Sequence, residues 1–214
     1  MLQFFHWYHP GNLWNEFSQK ADELARLGFT AVWLPPANKC HLGTEGRGYD
    51  VYDVYDLGEF DQKEGVATRY GTKEGYVKAI EDAHLASLSV YADVVLNHRI
   101  GADAEETVRV HQVADENRNQ KISKAFQAEA PTKFTFPGRN GKYSDFVWDY
   151  HCFSGIDNIK RQGKTLTGIF KIHNDSGTEW TEAVSHQLGN YDYLMGADVE
   201  YRNPEVVQEM KNWI

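Results

Sequence analysis

Asp93-Val94-Val95-Leu96-Asn97-His98 is the stretch of this chain richest in chemistry. An apolar, largely β-branched run delivers an amide and an imidazole to the point where a strand would leave its sheet. Asn offers a hard oxygen, and His a proton carrier or a ligand nitrogen. In barrels of parallel strands the ligand site lies at the carboxyl ends of the strands. Taken alone, the pair also suits the plainer task of satisfying loop backbone, and Asp93 suits bracing neighbouring backbone or a basic group. His6 and His9 form a second pair with ligand chemistry. On a straight strand they point to opposite faces and cannot share an ion. Cys40 and Cys152 lie far apart, without metal or redox spacing, and read as reduced thiols.

The elements that position these groups alternate in type. Leu2 to Tyr8 is an apolar, aromatic run of the buried-strand kind. Asn12 is placed to cap a helix with Trp14, Phe17, Ala21, Leu24 and Leu27 on one face, closed by Gly28. Phe29 to Leu34 reads as a short strand stopped by Pro35-Pro36, and a Gly- and Tyr-rich loop follows from Ala37 to Gly71. Thr72 opens a second helix with Tyr76, Ile80, Ala83 and Ser87 inward, and Ser89 to Leu96 is a third strand. Nearly continuous apolar strands imply burial on both faces, in a parallel sheet flanked by helices. From about Arg99 to Ala197 the rhythm breaks into turn signals and short aromatic strands such as 133–136 and 168–172, an irregular β-rich insertion. It resumes at Asn203-Pro204-Glu205, a helix start with an Asn cap, Pro at the first position and an acid in the first turn. Val206, Val207, Met210, Trp213 and Ile214 recur at helical spacing with no terminator, which reads as the front part of a larger protein.

Composition narrows the class. With 41% hydrophobic and 25% charged residues in 214, the chain is globular and long enough for a substantial core. A net charge of −9 disfavours nucleic acid and anionic membrane as partners, and agrees with a neutral polar substrate and with cation binding. Twelve Tyr, eleven Phe and six Trp suit a core, and also a surface that stacks on sugar rings. No secretory leader or run of membrane-spanning length is visible, so a cytoplasmic protein is expected.

Several segments then occur in a fixed order. They are Phe4-Phe5-His6-Trp7-Tyr8, Val32-Trp33-Leu34-Pro35-Pro36, Gly48-Tyr49-Asp50-Val51-Tyr52-Asp53, Tyr55 to Lys63, Asp93 to His98, and Asn190-Tyr191-Asp192-Tyr193-Leu194-Met195-Gly196-Ala197-Asp198. Together they resemble the α-amylase family of glycoside hydrolases, in particular the bacterial liquefying and cytoplasmic α-amylases. The resemblance covers essentially the whole chain.

It implies a (β/α)8 TIM barrel, of which this chain holds the first three strands. Residues 1–98 would be the first part of the barrel, 99–197 the inserted calcium-associated domain, and 198–214 the return to the barrel. It implies endo-cleavage of α-1,4-glucosidic bonds in starch, glycogen or maltodextrin, with retention of configuration through a carboxylate nucleophile and a carboxylic acid. In the family these groups, and a third carboxylate, follow strands four, five and seven. None is therefore assigned in this chain, which would be inactive and poorly folded alone. Asp50 and Asp93 match family positions that are neither nucleophile nor acid.

By the same resemblance Tyr49 stacks under the sugar at the cleavage subsite, and His98 hydrogen-bonds it. Asn97, Asp192 and Asp198 match ligands of a Ca²⁺ ion at the joint between barrel and insertion. Asp157 matches a ligand of extra cations that some relatives hold, but Thr181 follows Trp180 where those relatives carry an acid, and Glu200 stands where Asp is common. The alternatives are a transglycosylase of the same family and a barrel relative that binds glucan or a partner without catalysis.

Overall fold

The computed structural model describes residues 1–184, 192–193 and 195–214. The chain divides into two compact units, residues 1–95 with 137–143, and residues 96–136 with 144–214.

The first unit begins with β1 (Leu2–Gln3), α1 (Leu13–Arg26), β2 (Ala31–Leu34), β3 (Lys39–Cys40) and β4 (Val51–Asp53). It continues with α2 (Lys73–Leu85) and β5 (Ser89–Ala92). β1, β2 and β5 form a parallel sheet in that order, with Val32 opposite both Leu2 and Val90. Each parallel step is bridged by a helix, the βα repeat that the sequence rhythm predicts. Trp14, Phe17, Ala21 and Leu24 of α1 pack with Val32 and Leu34 of β2 and with Tyr76, Ala79 and Ala83 of α2. Trp14 is wedged between the rings of Tyr70 and Tyr76, at centroid distances of 5.4 and 4.7 Å.

Several expectations are corrected. The first strand is paired over Leu2–Gln3, and a turn at residues 7–8 replaces its expected end. That bend brings the His6 and His9 rings edge to face at 5.7 Å, although a straight strand would separate them. Asn12 holds the N-cap position of α1 in a left-handed conformation, with no side-chain capping bond. Leu27 and Ser87 lie past their helix ends and are exposed. The third strand ends at Ala92 and is not buried on both faces. Among the described residues it is an edge strand of its sheet, and Tyr91 is exposed.

The second unit holds β6 (His98–Arg99), β7 (Ala104–Ala114), β8 (Asn117–Lys121) and β9 (Phe126–Lys133). β10 (Phe153–Arg161), β11 (Lys164–His173), β12 (Ala197–Val199) and α3 (Pro204–Trp213) complete it. The irregular insertion that the sequence suggests is, among the described residues, an ordered antiparallel sheet. β7 pairs with both β9 and β11, and β10 with both β9 and β11. These strands close on themselves, which removes free edges. Val108, Val110, Ala128, Ala130, Ile159, Phe170 and Ile172 are buried along them. β12 extends from β10 to β6, so Asp198 lies opposite His98. α3 starts as its sequence predicts: the Asn203 side chain accepts the Glu205 N–H at 2.9 Å, with Pro204 at the first position.

Candidate functional site

Tyr49 is placed by a loop that must turn sharply against Pro36. Gly48 sits at φ +98°, and a Cβ there would stand 2.6 Å from Pro36 Cβ. Its carbonyl accepts from Asn38 Nδ2 at 3.1 Å, and its N–H donates to Cys40 Sγ at 3.0 Å. Burial pushes the Cys40 thiol up beyond the range of a reactive thiolate, so this sulfur serves as an acceptor. The Tyr49 hydroxyl donates to Asp93 Oδ2 at 2.9 Å. Trp7 lies nearly parallel to the Tyr49 ring, at 6.2 Å and 19°, and is itself about half exposed. Arg47 covers Trp7 at 4.9 Å and donates from Nε to its carbonyl at 2.6 Å. Burial, then the bond to Asp93, raises the Tyr49 pKa.

Behind this loop lies a buried charge network. Lys39 is fully buried, with Nζ donating to the carbonyls of Phe60, Gly65 and Val66 at 3.1, 2.7 and 2.6 Å. Asp56 Oδ2 stands 3.5 Å from the same ammonium. Asp53 accepts from Arg139 Nε at 3.0 Å and from Gln62 Nε2 at 3.1 Å. Desolvation lowers the Lys39 pKa and raises that of Asp53, and each opposite charge pulls partly back. Segment 137–143 thus belongs to the first unit through Arg139 on Asp53 and through Lys142 and Tyr143 on Glu59.

In the second unit, His98 is buried on β6. Asn97 Nδ2 donates to Asp198 Oδ1 at 3.0 Å and lies 3.4 Å from His98 Nδ1. Asp198 Oδ2 accepts from Ser154 Oγ at 2.6 Å, and the Val199 N–H donates to the Asn97 carbonyl at 2.8 Å. A cavity of about 260 Å³ is lined by Asn97, Thr181, Asp192, Asp198, Glu200 and Arg202, among others. Asp192 accepts from the Thr181 N–H at 3.0 Å, and burial raises its pKa. Lys171 is buried nearby, its ammonium on the carbonyls of Ser154 and Ile172 at 2.8 and 2.9 Å. Burial pulls Lys171 down to about 8, against the opposing charges of Glu200, Asp192 and Asp198.

The structure therefore brings Asn97, Asp192 and Asp198 to one cavity. Asp157 does not line it. It falls where the β10–β11 register shifts between Ile156 and Asn158, and its Oδ2 accepts the Gly196 N–H at 2.7 Å. Asn190, Tyr191 and Leu194 of the last motif lie outside the described residues. Among the described residues no group of three or more His, Cys, Asp and Glu is placed to share a metal ion. The donor set suits a hard cation in kind: two carboxylates, and an amide that offers oxygen if turned over. Three side chains fall short of the six to eight oxygens that calcium takes.

Sequence reasoning missed Lys39, Lys171 and the Tyr49–Asp93 pair. A lysine between apolar neighbours in a strand, as in Ile169-Phe170-Lys171-Ile172, was the available signal for Lys171. Asp93, Asp192 and Asp198 each accept a hydrogen bond from within their own unit. Each unit taken by itself offers ligand-binding chemistry: the aromatic and polar surface around Tyr49 in the first, and an oxygen-lined cavity in the second. Among the described residues no helix is long and apolar enough to cross a membrane.

Residues 13–214 match the family profile described as "Alpha amylase, catalytic domain". The cytoplasmic alpha-amylase of Escherichia coli is 46% identical over 216 residues, covering 100% of this chain and 43% of that protein. The alpha-amylase of Geobacillus stearothermophilus is 48% identical over 217 residues, covering 100% and 38%. That of Bacillus licheniformis is 44% identical over 217 residues, covering 100% and 41%. The chain thus spans 38–43% of the length of these relatives. Among solved structures, a truncated alternansucrase from Leuconostoc mesenteroides is similar with a TM-score of 0.54, over 64% of this chain and 13% of that one. Its identity is 23%, so the likeness is one of fold.

Proposed function

The chain belongs to the α-amylase catalytic-domain family, and from that premise we propose that the protein containing it is an endo-acting α-1,4-glucan hydrolase. The observation that carries the proposal is the match over residues 13–214, with Tyr49 and the Asn97-His98 pair falling inside it. The substrate class is starch, glycogen or maltodextrin. The reaction is a double displacement with retention, one carboxylate attacking the anomeric carbon and a second carboxylic acid protonating the leaving oxygen. No residue of this chain is assigned to either role.

Within that reading, Tyr49 offers its ring face to the apolar face of a glucose unit. The His98 imidazole donates to a sugar hydroxyl, and as a buried group it does so without the reorganisation a solvated donor would need. Asn97, Asp192 and Asp198 would hold Ca²⁺, which supplies a hard positive centre that neutralises the cavity carboxylates and cross-links β6, β12 and the Asp192 segment. Asp157 is the weakest member of the set, its carboxylate already engaged by Gly196 and Asn158. The assignment of 99–197 to a calcium-associated inserted domain, between barrel segments 1–98 and 198–214, belongs to the same proposal. So does a cytoplasmic location, supported by the 46% identity to the Escherichia coli cytoplasmic enzyme.

The test is the full-length protein on amylose. New reducing ends should appear, with the α-anomer as the first product by NMR, and Tyr49→Ala should lower kcat/KM by about 100-fold. An intact, folded wild type that releases no reducing ends refutes the proposal. Transfer products in place of hydrolysis would move it to a transglycosylase.

A further inference from the structure

We infer that Asp93 is a positioning residue: its carboxylate pins the Tyr49 hydroxyl and so fixes the ring plane on which a glucose unit of an α-glucan stacks. The inference rests on the proposed function, and it assigns a task to an acid that the resemblance leaves without one.

Asp93 is rooted in the sheet. Its N–H donates to the Leu34 carbonyl at 3.1 Å, carrying the β2–β5 ladder one residue beyond Ala92. Its side chain therefore leaves from the carboxyl end of a parallel strand, on rigid backbone. Tyr49 comes from the long loop, 44 residues earlier. At its Cα end the tyrosine is held by Gly48, itself locked on Pro36, Asn38 and Cys40. At its far end it is held by Asp93 at 2.9 Å. Without the second anchor the ring would swing about χ1 and χ2, and a stacking surface needs both fixed.

The chemistry fits an anchor. A phenol donating to a carboxylate is a charge-assisted bond, about twice as strong as a neutral pair. Among the described residues no cation is paired with Asp93, so its charge is directed at the phenol. Burial and Asp93 together keep the proton on Tyr49. The hydroxyl donates to Asp93, and the ring supplies the apolar face on which a glucose unit would stack. Trp7 lies nearly parallel to it and limits its tilt from one side. Were Asp93 only a brace for loop backbone, a backbone N–H would be its partner, as it is for Asp50, which accepts from the Leu42 N–H.

The experiment is a double-mutant cycle in the full-length protein, with maltoheptaose as the probe. Asp93→Ala and Tyr49→Phe should each lower kcat/KM by about 10- to 100-fold, the scale of one hydrogen bond to a charged group. In the Tyr49→Phe background, Asp93→Ala should cost no more than about twofold further, because its partner is already gone. Equal losses in both backgrounds would overturn the inference, and so would a kcat/KM for Asp93→Ala within about twofold of wild type. Asp93→Asn, whose carbonyl still accepts, should restore part of the loss, and unchanged melting temperatures exclude unfolding as the cause. A crystal structure of Asp93→Ala should show the Tyr49 ring displaced. A ring in its original place overturns the inference whatever the substrate. A wild type inactive on maltoheptaose, with the ring displaced in the variant, instead overturns the functional reading.

Discussion

Replacing Lys39 with methionine keeps the aliphatic stem and deletes the charge, which isolates what the buried ammonium does. Its three donors are matched to the carbonyls of Phe60, Gly65 and Val66, and Asp56 lies 3.5 Å away. The side chains of Lys39 and Asp56 are both fully buried. Two effects oppose each other. Burying the ammonium is costly, as its lowered pKa records, so its removal relieves a penalty. Against this, the variant leaves three part-buried carbonyls without their donor and a buried carboxylate without its opposite charge. Breaking one side of a buried pair costs about 3–5 kcal/mol. Asp56 keeps the N–H groups of Gly58, Glu59 and Phe60 and the amide of Gln62, which softens the loss. The lower end, about 3 kcal/mol, is therefore expected. Urea unfolding reads it as a drop in midpoint of roughly 1–3 M at an unchanged slope of 1–3 kcal/mol/M. A shift under about 0.5 kcal/mol would refute the reasoning, because the ammonium would then be replaceable by water or by relaxation of the 53–66 segment.

Two further outcomes are expected. His111 is buried, and its Nδ1 lies 2.7 Å from His173 Nε2. Burial first, then the charges of His173, Lys121 and Lys171, pulls His111 down to about 4, with Glu179 opposing, while Arg109 adds to the cations facing His173. The unfolded chain binds this proton near pH 6.5 and the folded one does not until about 4, so stability is whole above 6.5 and falls by roughly 3 kcal/mol toward pH 4. Melting curves of wild type and His111→Gln between pH 7 and 4.5 check this: the variant should lose less on acidification, and parallel curves would refute it. Calcium added to chelator-treated protein should raise the melting temperature, with about 2.7 kcal/mol gained at a hundredfold excess over Kd. Asp198→Asn should abolish most of that rise, and an equal rise in the variant would remove Asp198 from the ligand set.

What the sequence disclosed was whatever local periodicity controls. The βα rhythm, the Gly28 stop after α1 and the Asn203-Pro204 start of α3 depend on residues within a turn or two of each other, and all are found. The β-rich character of the insertion is legible, but its order is not, because its strands alternate polar and apolar residues. In β7, Glu106 and Arg109 share the strand with Val108, Val110 and Val113, which looks unlike a continuous apolar run. Closure of β7, β9, β10 and β11 depends on pairings such as Arg109 with Gln127 and Phe170 with Gln112, and no local window contains these. The third strand is apolar as a barrel strand should be, and among the described residues β2 is its one neighbour in the sheet, so part of that apolar surface is uncovered. The candidate site residues Tyr49, Asn97, His98, Asp157, Asp192 and Asp198 come from the resemblance carried by an ordered set of motifs. Lys39 and Lys171 do not, because a lysine at a buried position announces itself only when its carbonyl partners are placed.

The buried acids of this chain are held as hydrogen-bond acceptors. A carboxylate that attacks an anomeric carbon needs an unencumbered lone pair, and one that protonates a leaving group needs a proton to give. Asp56 has both oxygens engaged, Oδ1 by three backbone N–H groups and Oδ2 by Gln62. Asp53 is divided between Arg139, Gln62 and the Tyr55 N–H, and Asp198 between Asn97 and Ser154. Each such bond stabilises the acid as an acceptor and lowers its nucleophilicity. The same bonds tie loop segments and strand ends to the backbone and side chains around them.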